Sequence, residues 1–347
     1  MSKYLSKRAK SITPYTAGFQ PGGADIIKLN TNENPYPPSP KTLEACRAFD
    51  PSNLKLYPKA DGGPLRAAVA SVNGVPGSYV FCGNGSDEVL AFAFAAFFDG
   101  GIVFPDVTYS FYPVWADLFG ITYDLVPLGD DFTIPVERLR GNGVVLANPN
   151  APTGIALSLN DIEQVLKQNS NSVVIVDEAY VSFGAESAVP LISKYDNLLI
   201  VTTLSKSHAL AGMRLGYAIG QPHLIEGLER IKDSFNSYPV DSVAQIVGGA
   251  ALLDKEYYAG AAKKIIATRE RISGTLKDMG FIVTPSSANF LFVSKPGVAG
   301  AAIKTYLEQN GIYVRHWNKP RISDYLRISV GTDEQMDTLI SKLEAFF

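Results

Sequence analysis

A lysine surrounded by hydroxyl side chains is the feature of the sequence with the clearest chemical use. Lys206 comes just after an apolar run, is preceded by Thr203 and Ser205, and is followed eight residues later by Arg214. Hydroxyl groups and a fixed cation are what a phosphate dianion needs, and a lysine whose pKa is lowered can form an imine with an aldehyde. A lysine at a strand end, taken alone, is usually a solvated surface residue. The combination of Ser205, Lys206 and Arg214 is much less common, and it predicts a lysine that binds a phosphorylated aldehyde.

An acidic residue ends a second apolar run. The segment Val174–Val176 leads into Asp177, and Tyr180 follows three residues later. A carboxylate is costly to bury unless it meets a cation, and the protonated nitrogen of a pyridoxal ring would be such a cation. We therefore predict that Asp177 holds a ring nitrogen and that Tyr180 bonds the phenolic oxygen of the same ring. A magnesium-binding acid is disfavoured because the sequence has no Walker-A segment.

A glycine-rich turn between a predicted strand and a predicted helix offers a further phosphate contact. The turn contains Gly85, Ser86 and Asp87, and backbone N–H groups at a helix N-terminus attract anions. A dinucleotide-binding turn would need a third glycine where this chain has Glu88. We therefore predict a phosphate cradle, with Ser86 as the N-cap of a helix that runs through Phe98. A plain N-cap without a ligand is the alternative.

A rigid proline turn follows another apolar run. It spans Ala147–Gly154 and contains Asn150 between two prolines. Prolines fix the backbone of such a turn and leave an asparagine amide free to reach a ligand. Taken alone, the motif is also typical of an ordinary turn, so its weight comes from its position among the other three.

The elements that carry these motifs alternate between strand-like and helix-like segments. Short apolar runs rich in β-branched residues predict strands that are buried on both faces. The predicted strands are Tyr79–Cys82, Gly101–Phe104, Val144–Ala147, Val173–Val176, Leu198–Thr203 and Leu215–Ile219. Helical stretches separate several of them, and this alternation predicts an α/β fold with a mixed sheet between helices.

Three parts of the chain differ in composition and in predicted secondary structure. Residues 1–40 are rich in Pro, Asn, Tyr and Gly and predict an extended arm. Residues 41–245 predict a large α/β domain, and residues 246–347 predict a smaller α+β domain. A long helical stretch, about Ser242–Met279, joins the two, and we expect the arm to pack against the small domain.

Charge and cysteine content disfavour several other classes of protein. The chain of 347 residues has 31 basic and 34 acidic side chains, a net charge of −3 that argues against sequence-independent binding of nucleic acid. Cys46 and Cys82 cannot build a disulfide framework, and three widely separated histidines show no metal-ligand spacing. The longest apolar run, Val89–Phe98, is too short to span a bilayer. With no apolar core of a signal peptide at the N-terminus, we expect a cytoplasmic protein without a metal.

Together, the four motifs resemble those of fold-type I pyridoxal-phosphate-dependent enzymes, in the class-II aminotransferase group. The resemblance covers nearly the whole chain and is more specific for the cofactor, pyridoxal 5′-phosphate, than for the substrate. Further segments are similar to members of that group that act on histidinol phosphate: Lys28–Pro40, Leu56–Pro58 with Leu65–Arg66, Thr108–Tyr112, Ser287–Leu291 and Tyr325–Thr332. The implied fold is a large domain with a mixed, mostly parallel sheet, a smaller C-terminal domain and an N-terminal arm.

For the cofactor, the resemblance implies a role for each matching residue. Lys206 would form the imine and shuttle a proton, Asp177 would hold the ring nitrogen, and Tyr180 would hold the phenolic oxygen. Tyr109 would stack on the ring face. The cofactor phosphate would be bound by Ser205, Arg214, Thr203 and the turn Gly85, Ser86 and Asp87. Tyr57 would reach the phosphate of the neighbouring subunit's cofactor, which implies a homodimer with shared active sites.

For the substrate, the resemblance implies transamination of L-histidinol phosphate with 2-oxoglutarate, giving imidazole-acetol phosphate and L-glutamate, a step of histidine biosynthesis. Arg327 would grip the α-carboxylate of glutamate in a bidentate fork. Arg315, Tyr15 and Asn34 are candidates for binding the substrate phosphate or side-chain carboxylate. An aromatic or broad-specificity aminotransferase and a threonine-phosphate decarboxylase on the same fold stay open as alternatives.

Two alternatives from other classes fit less well. A nicotinamide dehydrogenase would use the glycine turn and Asp106 for the ribose, but it would leave Lys206 and Arg214 without a role. A regulator with an aminotransferase-like domain would need a separate DNA-binding module, which the irregular residues 1–40 cannot supply.

The chain departs from the family pattern at two positions. Ala151 stands where the family usually has an asparagine that bonds the phenolic oxygen, so either Asn150 takes over that contact or Tyr180 makes it alone. The pair Val107–Thr108 stands where the family usually has Pro-Thr, and there we expect only an adjustment of the backbone.

Overall fold

The computed structural model describes residues 2–16, 18–23 and 26–347. The strands are β1 (Ile27–Leu29), β2 (Val80–Gly83), β3 (Ile102–Pro105), β4 (Tyr123–Val126), β5 (Val144–Ala147), β6 (Val174–Asp177), β7 (Leu198–Thr203), β8 (Gly216–Gly220), β9 (Ile282–Val283), β10 (Phe290–Ser294), β11 (Ile312–His316) and β12 (Tyr325–Ser329). The helices are α1 (Lys7–Ser11), α2 (Pro40–Arg47), α3 (Gly63–Asn73), α4 (Ser86–Phe97), α5 (Tyr112–Phe119), α6 (Leu159–Gln168), α7 (Pro222–Phe235), α8 (Ser242–Leu253), α9 (Lys255–Asp278), α10 (Gly300–Gln309) and α11 (Asp333–Phe346).

Seven strands form the larger sheet, in the order β2-β8-β7-β6-β5-β3-β4. Strand β8 runs antiparallel to its neighbours β2 and β7, and the other pairs are parallel. Every residue of β2, β3, β5, β6 and β8 is buried, which is why these strands appear in the sequence as continuous apolar runs rather than alternating patterns. The predicted α/β fold with a mixed, mostly parallel sheet is confirmed.

The smaller sheet has the order β1-β11-β12-β10-β9. Strand β1, from the N-terminal segment, pairs in parallel with β11, so that Ile27 lies opposite Ile312. The N-terminal segment therefore belongs to the same sheet as the C-terminal strands. The packing of the arm as a whole and the domain boundaries at residues 40 and 245 stay predictions.

Two predicted features of the helices are wrong in detail. The long stretch from Ser242 to Met279 is two helices, because the backbone turns at Asp254 (φ −90°, ψ 55°) between α8 and α9. Helix α8 packs against α2 and α3 beside the larger sheet. Ser86 is the first residue of α4 and not its cap: the cap is Gly85, whose φ of 85° is a left-handed value that a serine adopts only under strain.

No helix among residues 2–16, 18–23 and 26–347 is long and apolar enough to cross a membrane. Within the same ranges, no three His, Cys, Asp or Glu side chains come together in an arrangement that could hold a metal ion. The expected cytoplasmic location and the expected lack of a metal stay predictions.

Candidate active site

A cavity of about 640 Å³ opens where β5, β6 and β7 end, between the larger sheet and strands β11 and β12 of the smaller one. Parallel strands place their carboxyl ends at one edge of a sheet, and ligands of α/β proteins bind there. The strand ends supply Ala147, Asp177 and Thr203 to the cavity wall, and β11 and β12 supply Arg315 and Arg327.

Lys206 lies in this cavity, and its amine donates a hydrogen bond to the carbonyl oxygen of Thr31 at 2.9 Å. Burial and then the nearby cation of Arg327 lower the pKa of Lys206 to about 8, against the opposing effect of Glu33 and Asp87. A fraction of the amine is therefore neutral at pH 7 to 8, the form that attacks a carbonyl carbon.

Asp177 is buried at the end of β6 with its carboxylate in the same cavity. One oxygen accepts the hydroxyl hydrogen of Tyr112 at 2.9 Å, and the other accepts the N–H of Ala179 at 3.2 Å. No lysine or arginine in the described part of the chain forms an ion pair with it. Burial raises the pKa of Asp177 to about 6. A carboxylate in this state would be stabilised by a ligand cation.

Tyr180 stands beside Asp177 in the cavity wall. Its ring packs edge-on against Phe290, with ring centres 5.0 Å apart. Its hydroxyl oxygen accepts a hydrogen bond from the side-chain amide of Asn32 at 2.9 Å. Asn32 was not among the site residues predicted from the sequence, although it lies in one of the segments that carried the resemblance.

The glycine turn and Arg214 form one corner of the cavity. Arg214 pairs with Asp87 at 3.1 Å, and the hydroxyl of Tyr109 donates to the other oxygen of Asp87 at 2.9 Å. Gly216 lets this corner form, because a Cβ there would lie 2.3 Å from the backbone nitrogen of Ser86. The N-terminus of α4 is thus held beside a guanidinium group, an arrangement that suits a phosphate.

Two buried hydroxyl groups complete the phosphate side of the cavity. The hydroxyls of Thr203 and Ser205 lie 2.9 Å apart, and both residues line the cavity. The hydroxyl of Thr203 also lies 3.0 Å from the carbonyl of Leu215. The sequence prediction that these residues come together with Lys206 and the turn therefore agrees with the geometry.

On the opposite wall, Arg327 is held by stacking and by one backbone contact. Its guanidinium lies 5.4 Å from the ring centres of both Phe290 and Trp317, and it donates to the carbonyl of Asn30 at 2.8 Å. Within the described residues, the buried Nε of Arg327 has no hydrogen-bond partner. Arg315 stacks on Trp317 as well, at 5.5 Å. Free donors on immobilised arginines are suited to binding carboxylate or phosphate groups.

Not every predicted residue reaches the cavity. Asn150 is fully buried and its amide is engaged by Val107, Thr108 and Thr153, so it is not available to a ligand. The prediction of a cofactor contact by Asn150 is therefore corrected, and Ala151 lines the cavity in its place.

Asn34 also differs from its prediction. Its amide donates to the backbone carbonyls of Lys206 and Ser207, at 2.9 and 3.3 Å, and it does not line the cavity. It therefore supports the lysine-bearing segment instead of contacting a substrate. Tyr15 does line the cavity and stacks on Phe111, with ring centres 4.4 Å apart.

Tyr57 lies outside the cavity of its own chain. It is 83% exposed and stacks on Tyr238, with ring centres 4.9 Å apart. Asp106, which a dinucleotide-binding protein would need for ribose, is engaged by Arg321 at 2.8 Å and by the N–H of Leu128 at 3.0 Å. The geometry therefore gives no support to the nicotinamide alternative.

Comparison with known proteins identifies relatives along the whole chain. The family model for aminotransferase class I and II matches residues 24–343. A histidinol-phosphate aminotransferase from Acetobacter pasteurianus is 52% identical over 347 residues, covering 99% of this chain and 98% of the relative. One from Lactococcus lactis is 48% identical, covering 97% of this chain and 96% of the relative.

Solved structures share the fold. The histidinol-phosphate aminotransferase from Sinorhizobium meliloti, solved in complex with pyridoxal-5′-phosphate, has a TM-score of 0.87 at 23% identity, with 100% of this chain and 99% of that one covered. The L-threonine-O-3-phosphate decarboxylase from Porphyromonas gingivalis has a TM-score of 0.79 at 21% identity, with 92% and 99% covered. At these identities the likeness shows the fold alone. By its matches over the full length, the chain belongs to the aminotransferase class I and II family.

Proposed function

We propose that this protein is a pyridoxal-phosphate-dependent aminotransferase that exchanges an amino group between L-histidinol phosphate and 2-oxoglutarate, a step of histidine biosynthesis. The observation that carries the proposal is the cavity itself, which joins a lysine of lowered pKa, a buried acid and two stacked arginines. The curated relatives that are about half identical over the full length bear the name of this activity.

The residues present fit the cofactor. The buried carboxylate of Asp177, which has no cationic partner within the described residues, matches a protonated ring nitrogen. Tyr109 offers a ring for stacking and Tyr180 a hydroxyl for the phenolic oxygen. The phosphate would be held by the backbone N–H groups of Ser86 and Asp87 at the start of α4, by the hydroxyls of Thr203 and Ser205, and by Arg214. When bound, pyridoxal 5′-phosphate supplies an aldehyde that condenses with amines and a ring that accepts an electron pair.

Lys206 serves as the proton carrier of the reaction. Its amine has a pKa of about 8, so near neutral pH it can both accept and release a proton. With the cofactor bound, Nζ would accept the proton that leaves Cα of the amino donor and would later release it again. The carbonyls of Lys206 and Ser207 are fixed by the amide of Asn34, which keeps the segment in place while the side chain moves.

The two arginines explain how one cavity accepts two different amino donors. Glutamate carries two carboxylates and histidinol phosphate carries a phosphate, so both donors need fixed cations. The Nε of Arg327 is an unpartnered donor for the α-carboxylate of glutamate, and Arg315, which also stacks on Trp317, offers a second cation for another acidic group. Tyr15 borders the same space.

We also propose that the active form is a homodimer with shared sites. Tyr57 lies among exposed apolar side chains, and such a surface is typical of a subunit interface. The exposed apolar residues beside it are Leu54 and Leu56, which are close in the chain, and Tyr238, on whose ring Tyr57 stacks. Mixing inactive Lys206→Ala and Tyr57→Ala variants should restore part of the activity, since one site of each mixed dimer is intact. No restoration after subunit exchange would contradict shared sites.

A half-reaction assay tests the proposed activity. Purified holoprotein is mixed separately with histidinol phosphate, glutamate, phenylalanine and threonine phosphate, and the loss of the cofactor's visible absorption band is followed with each. We expect fast conversion with histidinol phosphate and glutamate and slow conversion with phenylalanine. Faster conversion with phenylalanine would favour an aromatic aminotransferase, and release of carbon dioxide from threonine phosphate would favour a decarboxylase.

A further inference from the structure

Asn32 is a buried polar residue of the cavity that the proposed mechanism has not used. It is 1% exposed, and its side-chain Nδ2 donates to the hydroxyl oxygen of Tyr180 at 2.9 Å. Its backbone has φ 56°, a left-handed value that costs energy for most residues and that asparagine tolerates better than most. A strained backbone at a buried site residue indicates that the surrounding contacts hold it there.

Contacts from the small sheet and its neighbouring loop fix the orientation of Asn32. The Oγ of Ser329 accepts the N–H of Asn32 at 2.8 Å and donates its own hydrogen to Oδ1 of Asn32 at 2.9 Å. The side chain of Asn289 donates to the carbonyl of Asn32 at 3.0 Å. The opposite amide orientation would leave the buried Ser329 hydroxyl hydrogen without an acceptor. Nδ2 is therefore the atom that points at Tyr180.

This orientation determines what the Tyr180 hydroxyl can do. Because its oxygen accepts from Asn32, its single hydrogen is left to be donated elsewhere, and Tyr180 faces the cavity. The side chain at position 151 cannot donate, because it is alanine, and the amide of Asn150 is occupied. Tyr180 therefore has a hydroxyl hydrogen that is free to be donated to a ligand in the cavity.

We propose that Asn32 is a positioning residue that holds the Tyr180 hydroxyl as a donor to the cofactor's phenolic oxygen, and so compensates for alanine at position 151. The inference rests on the proposed function. The segment that contains Asn32 also connects the two walls of the cavity. Asn30, two residues before Asn32, accepts a hydrogen bond from Arg327, and Ser329 lies two residues after Arg327 on β12.

The proposal predicts in which direction the pH midpoint of the cofactor's visible absorption band moves when Asn32 is changed. A hydrogen bond donated to the phenolic oxygen stabilises that oxygen as an anion, which makes the bound cofactor lose its proton at lower pH. The amide of Asn32 polarises the Tyr180 hydroxyl and strengthens that bond. Loss of the amide should therefore raise the pH midpoint at which the visible absorption band of the holoprotein changes.

Asn32→Gly tests this in the holoprotein, because glycine removes the amide without penalising the left-handed backbone. In a spectrophotometric pH titration we expect the midpoint to rise by about half a unit to one unit. Asn32→Asp keeps the shape of the side chain and should raise the midpoint further, since it adds a negative charge near the protonated cofactor. Asn169→Ala is the matched control, because Asn169 is a buried asparagine outside the cavity whose amide binds backbone carbonyls. It should leave the midpoint unchanged while lowering the melting temperature.

A double-mutant comparison separates positioning from general loosening. In a Tyr180→Phe background the hydroxyl is absent, so Asn32→Gly should no longer move the midpoint. An equal shift in both backgrounds, or no shift in a folded Asn32→Gly or Asn32→Asp variant, would overturn the proposal. A wild-type protein that never shows the visible band would instead refute the proposed function, so the two failures are distinguishable.

Discussion

The two walls of the cavity differ in how their polar groups are satisfied. On the wall of the larger sheet, Asp177 accepts two hydrogen bonds, the hydroxyls of Thr203 and Ser205 contact each other, and Tyr109 donates to Asp87. On the wall of the smaller sheet, Arg327 is held mainly by aromatic rings, and its Nε has no partner within the described residues.

From this difference we infer that the two walls bind different groups, one the resident cofactor and the other the substrates. Groups that are fixed by their own neighbours before a ligand arrives suit a resident group that stays in one orientation. Stacked arginines with free donors suit substrates that must enter and leave and that differ in their acidic groups. Changes on the larger-sheet wall should therefore affect both half-reactions alike, whereas changes on the smaller-sheet wall should affect the substrates differently.

The largest effect is expected from Lys206→Ala. Removal of the amine eliminates the proton carrier, so we expect the rates of both half-reactions to fall by about 10³-fold. Single-turnover absorbance measurements with glutamate and with histidinol phosphate check this. Lys167→Ala, a change to an exposed lysine in a surface ion pair, is the control and should keep wild-type rates. A loss of rate that differs between glutamate and histidinol phosphate would contradict the claim that the larger-sheet wall serves both half-reactions alike.

Asp177→Asn should lower both half-reaction rates by about 10²-fold, because the buried amide no longer stabilises a protonated ring nitrogen. Glu178→Gln is a matched control one residue away. Glu178 is also buried, with a pKa raised by burial to about 7, but its carboxylate bonds Ser187 and Ala188 and does not line the cavity. A similar loss in both variants would show that Asp177 acts only through folding.

Arg327→Lys tests the wall of the smaller sheet, where a change should affect the two substrates differently. Lysine keeps the charge but loses the bidentate fork and the stacking on Trp317. We expect KM for glutamate to rise roughly 10- to 100-fold, the equivalent of one charge-assisted hydrogen bond, with a smaller change in kcat. Steady-state kinetics with both donors check this. An equal rise in KM for glutamate and histidinol phosphate would mean that Arg327 does not distinguish the acidic groups.

The smallest expected effect is a shift in the pH midpoint of cofactor attachment. It tests whether Arg327, on the wall of the smaller sheet, lowers the pKa of Lys206. The pKa of Lys206 lies at about 8, so the apoprotein should attach pyridoxal 5′-phosphate faster as pH rises through 8, where the neutral amine becomes the main form. Arg327 contributes to the lowered pKa, so Arg327→Ala should move this midpoint upward. Stopped-flow attachment rates across pH check both. A wild-type midpoint near 10.5, the ordinary value for lysine, would contradict the desolvated site.

The sequence predicted the buried strands and the residues at their ends well because both depend on short local patterns. The bounds of β5 and β7 were predicted as they are, and Asp177 and Lys206 were placed near strand ends from apolar runs alone. Strand β4 was missed, since its edge position leaves two of its four residues exposed and gives no continuous apolar run.

Residues whose roles depend on distant contacts were predicted less well. Asn32 was missed because its role needs Ser329, 297 residues away in the chain, and the pairing of β1 with β11. Asn34 and Asn150 were assigned to ligands because their amides are polar and lie in motifs, but backbone and side-chain groups engage both amides in the fold. Local patterns indicate that a polar side chain is present, while only the fold determines which partner it meets.

Borohydride trapping of the holoprotein tests the central claim about Lys206 most directly. Reduction should fix the cofactor to the protein, and peptide mass spectrometry should then find the added mass on Lys206, with none on Lys28 or Lys319 near the same cavity. Lys206→Ala should carry no label under the same conditions. A label on a different lysine of the wild-type protein, or no label at all, would contradict the account.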